Sequence, residues 1–140
     1  MPVTHFRPPQ DLELARPFWS ALESGELRLP RCAACGLWRW YPLETGPHCS
    51  GATTEWASLP GTGTVFTYTT VRRPFLPEAT LEEVPFVVVL VDLDGADGVR
   101  LLGNLAEGVE PRIGMDVVLG PPVGGDANPV FRLNHGHAIA

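Results

Sequence analysis

Hydrophobic spacing divides the chain into two regimes. From Asp11 to Gly25 the period is helical: Leu14, Phe18 and Leu22 recur at i, i+4 and i+8, and Ala21 joins their stripe. Pro17 cuts into this pattern and disfavours the α region at Arg16, which predicts a kink or a restart there. Gly25 supplies the C′ stop. Phe18 and Trp19 are adjacent and cannot share one face. Either one serves this chain's core and the other a partner, or both lie against the segment that follows. Beyond Leu27 the period shortens to two. Residues 27–30 form a short strand, and residues 37–41 alternate, with Trp38 and Trp40 on one face and Leu37, Arg39 and Tyr41 on the other.

From Leu59 the character changes, and strands are separated by glycine, proline and aspartate turns. Residues 64–72 are rich in β-branched and aromatic side chains, which predicts a strand. Residues 86–93 form a second strand whose unbroken apolar run implies burial on both faces, or on one face against another chain. Residues 99–105 form a third, with Gly103 read as a bulge or barrel corner. Residues 116–119 and 130–133 complete a set of five. Five strands with glycines at the bends and no long helix predict a mainly β protein closing as a small Greek-key barrel of the OB type. The shift at Leu59 divides the chain into an arm, helix and ribbon-like segment at residues 1–58, and a barrel with its tail at residues 59–140.

The candidate chemistry lies between these regimes. All three cysteines, Cys32, Cys35 and Cys49, fall in the stretch RCAACGLWRWYPLETGPHCSG. Cys32-Ala33-Ala34-Cys35-Gly36 has the spacing of a metal knuckle, with Gly36 in place for a positive φ. Gly46-Pro47-His48-Cys49 reads as a second knuckle whose first cysteine is glycine. Zinc is the metal that three thiolates suggest, with Cys32, Cys35 and Cys49 as ligands and His48 the nearest candidate for an incomplete fourth position. The alternative is a relic ribbon held by Trp38, Trp40 and Trp56.

Composition narrows the function. The 140 residues carry a net charge of −6 and no lysine, which weighs against a nucleic-acid binder and excludes a Schiff-base or P-loop lysine. Any phosphate contact falls to arginine or backbone N–H; Arg72 and Arg73, at a strand end, are the candidates for a CoA phosphate or an acidic partner surface. The opening MPVTHFRPPQ has no signal-peptide pattern, and no apolar run is long enough to span a bilayer, so the expected setting is cytoplasmic and reducing. His135 and His137 belong to a polar tail, and no serine, cysteine or histidine stands in a recognisable nucleophile setting.

Helix, ribbon and barrel in this order resemble the family catalogued as domain of unknown function 35. The likeness is carried by Pro17-Phe18-Trp19, Gly25-Glu26-Leu27, Arg31-Cys32-Ala33-Ala34-Cys35-Gly36, Tyr41-Pro42, Pro47-His48-Cys49, Gly63-Thr64-Val65, Pro85-Phe86 and Leu101-Leu102-Gly103-Asn104-Leu105. It departs at Gly46, where the third cysteine belongs, and at Ser50, where glycine is common. The resemblance implies a rubredoxin-like zinc ribbon and an OB-fold in a small subunit without catalytic groups of its own. Such subunits bind thiolase-like enzymes that make or break carbon–carbon bonds in acyl-CoA thioesters, including acyl transfer and retro-aldol cleavage of steroid side-chain esters. On this reading Phe18, Trp19, Phe86, Arg72 and Arg73 form the partner or substrate interface. The rival class is a single-stranded nucleic-acid-binding module, since ribbons and OB-folds both serve that end. A rubredoxin-like electron carrier needs four thiolates, and the chain has three cysteines.

Overall fold

The computed structural model describes residues 13–40, 54–73, 85–121 and 129–134. A 3₁₀ turn at Glu13–Ala15 runs into helix α1 at Arg16–Glu23. Pro17 sits in the first turn of α1, where its missing N–H costs nothing, so the proline starts the helix rather than breaking it. The Arg16 guanidinium bonds to the Glu13 carboxylate at 2.7 Å. That bond and its charge hold the Glu13 carboxyl below its ordinary pKa. Both side chains are largely exposed, so this is a solvated pair at a helix start and not a tuned acid. Gly25 takes φ +77 just past the helix, as its C′ role requires. Phe18, Ala21 and Leu22 are buried, but Leu14 is 47% exposed; it precedes the helix proper and leaves the stripe.

Strand β1 (Leu27–Cys32) pairs antiparallel with β2 (Thr54–Leu59), from Leu27 opposite Leu59 to Cys32 opposite Thr54. The remaining strands are β3 (Thr62–Val71), β4 (Phe86–Leu93), β5 (Arg100–Leu105), β6 (Asp116–Leu119) and β7 (Val130–Leu133). They close into a barrel in the order β3-β4-β5-β7-β6, with β6 returning to β3 and β5 running parallel to β7. That order is the five-stranded Greek-key barrel of the OB-fold.

The barrel interior is filled by Val65, Val89, Val91, Leu101, Val117 and Phe131, each at most 2% exposed. One buried cluster joins these residues to Phe18, Leu22, Leu27 and Leu29, so helix, ribbon and barrel share a core. Two glycines make the closure possible. A Cβ on Gly63 would stand 2.6 Å from Val91 Cγ1, with the Asp92 carbonyl oxygen nearer still. A Cβ on Gly103 would stand 2.7 Å from the Pro129 carbonyl oxygen and 3.0 Å from the Phe131 ring. Gly103 therefore admits β7 against β5; the bulge falls elsewhere, between Val65 and Thr67 on β3. The apolar run on β4 alternates in burial: Val89, Val91 and Leu93 point into the barrel, and Phe86, Val88 and Leu90 are half-buried on its outer side.

Candidate functional site

At the end of β1 the chain turns back on itself. The Cys32 N–H donates to the Leu37 carbonyl at 2.8 Å, and the Gly36 N–H donates to the Cys32 carbonyl at 2.8 Å. Gly36 takes φ +76 with nothing near its Cβ position, so the backbone conformation and not space requires glycine. Within this turn the Cys35 N–H points at Cys32 Sγ, 3.5 Å away. A sulfur that accepts a backbone N–H from the residue three positions on is held as a knuckle holds a thiolate. Cys32 is 1% exposed and Cys35 lies at the surface. Cys49 and His48 lie outside the described residues, and among the described residues no three metal-binding side chains are gathered. The half of the site that is described suits a soft, thiolate-binding metal such as zinc: two sulfurs at the required spacing, one buried and oriented.

One residue beside the knuckle escaped the sequence reading. Arg31 bridges Trp38, and the Arg39 N–H donates to the Pro30 carbonyl at 2.9 Å, so residues 37–39 flank β1 on the side opposite β2. Residues directly opposite in antiparallel strands share a face. Cys32, Thr54 and Arg39 therefore lie on one face, with Cys32 between the other two strands. The Arg39 guanidinium donates to Thr54 Oγ1 at 2.6 Å, and the residue is 2% exposed. To make that bond its side chain crosses β1 on the face that carries Cys32. The alternation at residues 37–41 places Arg39 on the face opposite the tryptophans; the position of Thr54 across from Cys32 is the part no local pattern reveals.

The expected interface residues separate. Phe18 is 1% exposed, with its ring 4.8 Å from Trp19 and 4.7 Å from Trp40, and its surface is spent within the chain. Trp19 is half-buried, with one side on the same core. Phe86 opens the outer side of β4, paired with Val71, and Arg72 and Arg73 follow β3 in exposed positions at that end. Leu90 lies between Thr67 and Leu102, and Leu102 is 48% exposed. At the far end Arg100 bonds to Asp92 at 2.8 Å and lies 3.7 Å from the Phe66 ring centroid. The outer face of β3, β4 and β5 is thus an apolar strip of Phe86, Val88, Leu90 and Leu102. It is closed by an ion pair stacked on Phe66 at one end and bounded by two arginines at the other. In an OB-fold the second and third barrel strands, here β4 and β5, present the ligand face. Sequence reasoning found Phe86 and missed Phe66 and Leu102, because neither exposure is visible without the register.

Fold and site together define a zinc-ribbon and OB-fold protein. Residues 19–55 match the family described as "ChsH2, rubredoxin-like zinc ribbon domain", and residues 56–120 match "ChsH2, C-terminal OB-fold domain". The chain belongs to this ChsH2 family, the DUF35 group. A chain of the solved Ltp2-ChsH2(DUF35) aldolase is 33% identical, with TM-score 0.75, over 90% of this chain and 98% of that one. A DUF35 protein of unknown function from Sulfolobus solfataricus shares the fold at TM-score 0.61 and 14% identity, over 87% and 86% of the two chains. A probable enoyl-CoA hydratase alpha subunit of Thermomonospora curvata is 37% identical over 117 residues, which are 81% of this chain and 35% of that protein. The chain thus spans about a third of the length of that relative. No helix among the described residues is long and apolar enough to cross a membrane.

Proposed function

We propose that this chain is a non-catalytic accessory subunit that binds a thiolase-like enzyme and supports carbon–carbon bond cleavage or formation on an acyl-CoA. The observation that carries the reading is the likeness, over 90% of this chain and 98% of the other, to a chain of an aldolase named for two proteins. The chain's own construction supports it. Its barrel is filled, and its outer face is apolar and half-exposed, as a surface built for another protein is. Trp19, Phe86, Arg72 and Arg73 are the proposed contacts. Phe86 supplies apolar area, and the arginines answer an acidic patch or a CoA phosphate. The units at residues 1–58 and 59–140 divide the work into a metal-braced ribbon and a docking barrel. Zinc is held by Cys32, Cys35 and Cys49, with His48 the candidate for the fourth position, and a reducing cytoplasm keeps these thiols available.

Co-expression with a thiolase-like protein from the same source, followed by affinity capture and light scattering, tests the reading. A stoichiometric hetero-oligomer with retro-aldol or acyl-transfer activity on an acyl-CoA is expected. A monomer that captures no such protein overturns it. The Thermomonospora likeness favours a second partner, an enoyl-CoA hydratase. Hydration of an α,β-unsaturated thioester gives the β-hydroxy thioester that a retro-aldol step consumes, so the same capture run with a hydratase separates the two.

A further inference from the structure

We propose that the free edge of β3 pairs with the same edge of a second copy of this chain, joining two barrels through one continuous sheet about a two-fold axis. The inference goes beyond the partner reading above and does not rest on it.

At ten residues β3 outruns the strand that closes the barrel beside it. Strand β6 covers Thr62, Gly63 and Thr64, and the Val65 N–H and carbonyl bond to Met115 and Gly114. Strand β4 continues alongside as far as Val71. Residues 66–71 thus have β4 on one side and, among the described residues, no strand on the other. The ladder to β6 stops where the bulge between Val65 and Thr67 falls. Beyond it four consecutive residues, Phe66, Thr67, Tyr68 and Thr69, are exposed, so both faces of the strand meet solvent as well as its edge. Nothing in the side chains guards this edge. Phe-Thr-Tyr-Thr-Thr-Val holds no charge, proline or glycine and consists wholly of good strand formers. The outward N–H and carbonyl groups of such an edge are a template for another strand.

Charge and symmetry choose the strand. Arg72 and Arg73 end the segment. Parallel pairing of two copies would set each arginine beside its twin, whereas antiparallel pairing sends them to opposite ends. A two-fold axis must also set some residue opposite its own copy, because opposed residues share a face and faces alternate along a strand. With Tyr68 on the axis, Tyr68 meets its copy, and Thr67 of each chain meets Thr69 of the other. Aromatic pairs and threonine pairs are both favourable across strands. The two Arg72 residues then stand eight residue steps apart, about 27 Å at ~3.4 Å per step, well beyond the ~8 Å over which salt screens charge. Centring on Thr67 would need Val65, whose N–H and carbonyl are already bonded to Met115 and Gly114. Centring on Thr69 would set Arg72 opposite Phe66, next to the bulge. Since β3 has one open side, pairing uses up the edge of each copy and closes at two chains.

Sedimentation velocity of the full chain, from low micromolar to near-millimolar concentration, tests this, with amide hydrogen exchange read over residues 66–71. The parent is expected to pass from monomer to dimer and no further, with exchange in that segment slowing as it does. Tyr68→Lys and Tyr68→Glu each set like charges face to face at the axis and should weaken association at least about 10-fold. Mixed in equal amounts, the two variants should recover the parent's association, since a lysine then meets a glutamate. Tyr68 is 38% exposed, so both variants should melt within a few degrees of the parent. If neither folds, exchange in the parent decides alone. A parent that stays monomeric, exchange in residues 66–71 that ignores concentration, or a mixture no tighter than the single variants overturns the proposal. So does a monomeric parent whose capture of a thiolase-like protein is lost with Tyr68→Lys, an outcome that assigns the edge to that protein.

Discussion

Replacing Phe18 by alanine tests whether the helix is part of this chain's own core or a handle for a partner. Phe18 is 1% exposed, stands edge-on to Trp19 at 4.8 Å and is tilted on Trp40 at 4.7 Å. It is the residue through which α1 reaches the aromatic side of the ribbon. A buried Phe→Ala change costs about 3–5 kcal/mol, and each aromatic pair contributes about 0.5–1.5 kcal/mol of that beyond simple burial. A loss of about 4 kcal/mol is expected, a large part of the 5–15 kcal/mol that holds a typical domain. At about 3 °C per kcal/mol for a chain of this size, the melting temperature should fall by about 12 °C. Urea unfolding followed by tryptophan fluorescence measures this directly, since two of the chain's tryptophans touch the deleted ring. Partner affinity, measured where the variant is still folded, should stay within a few-fold of the parent. A stability loss below about 1 kcal/mol combined with lost partner binding would refute the reasoning, because Phe18 would then be a contact and not a core residue.

Gly63→Ala should cost several kcal/mol or leave no soluble protein, because its Cβ meets the Asp92 carbonyl and Val91 at the barrel seam; thermal melts of the purified variant decide it. Leu102→Asp places a charge on the outer barrel face, where the parent residue is 48% exposed. It should leave the melting temperature within a few degrees and weaken partner capture at least 10-fold, and unchanged capture would remove this face from the interface. Zinc should load below one equivalent or be stripped by mild chelator, since the chain holds three cysteines; elemental analysis before and after chelation measures it, and tight one-to-one zinc would mean that a strong fourth ligand completes the site. The isolated chain should turn over no acyl-CoA, and His48→Ala should leave an assembled complex active; a complex that assembles but is dead would transfer chemistry to the ribbon.

Much of the barrel was legible because β-branched runs and turn residues speak locally. Residues 116–119 and 130–133 coincide with β6 and β7, and residues 86–93 with β4. Strand β2 was not legible: Thr54-Glu55-Trp56-Ala57-Ser58-Leu59 is mixed in character and owes its strand to β1 alongside. The unbroken β4 run implied burial on both faces or against another chain. The structure gives it one filled face and one half-open one, a distinction set by which strands lie above it. Residues 37–41 alternate in sequence, and of these residues 37–40, which are described, make an isolated bridge at Trp38 and no strand. Of the candidate site, the first knuckle was fully visible from CAACG, because its chemistry is local. Arg39 and Leu102 were not, because each matters through a residue far away in sequence, Thr54 in one case and Leu90 in the other. Phe18 and Trp19 show the same limit: adjacency said that they differ, and only packing said which of them is fully buried.

On the reading proposed here, β4 couples folding to assembly. Val89 and Val91 sit at the centre of the barrel core, and Val88 and Leu90, their immediate neighbours, form the outer strip. A strand that serves both sides transmits a change at one to the other, since adjacent side chains on it share one backbone and its ladders to β3 and β5. Leaving the strip open exposes apolar surface to water; covering it recovers part of the transfer free energy at about 25 cal/mol per Å². A partner that binds the folded chain alone also adds stability by mass action, about 2.7 kcal/mol when its concentration is 100 times Kd. The chain can therefore be marginal by itself and firm in the complex. The glycines at positions 63 and 103, packed too closely for any side chain, set the barrel's curvature and with it the shape of the outer face. On the proposed reading, rigidity on the inside and apolar area on the outside suit a part that shapes another protein, with the bond-making and bond-breaking groups held by that protein.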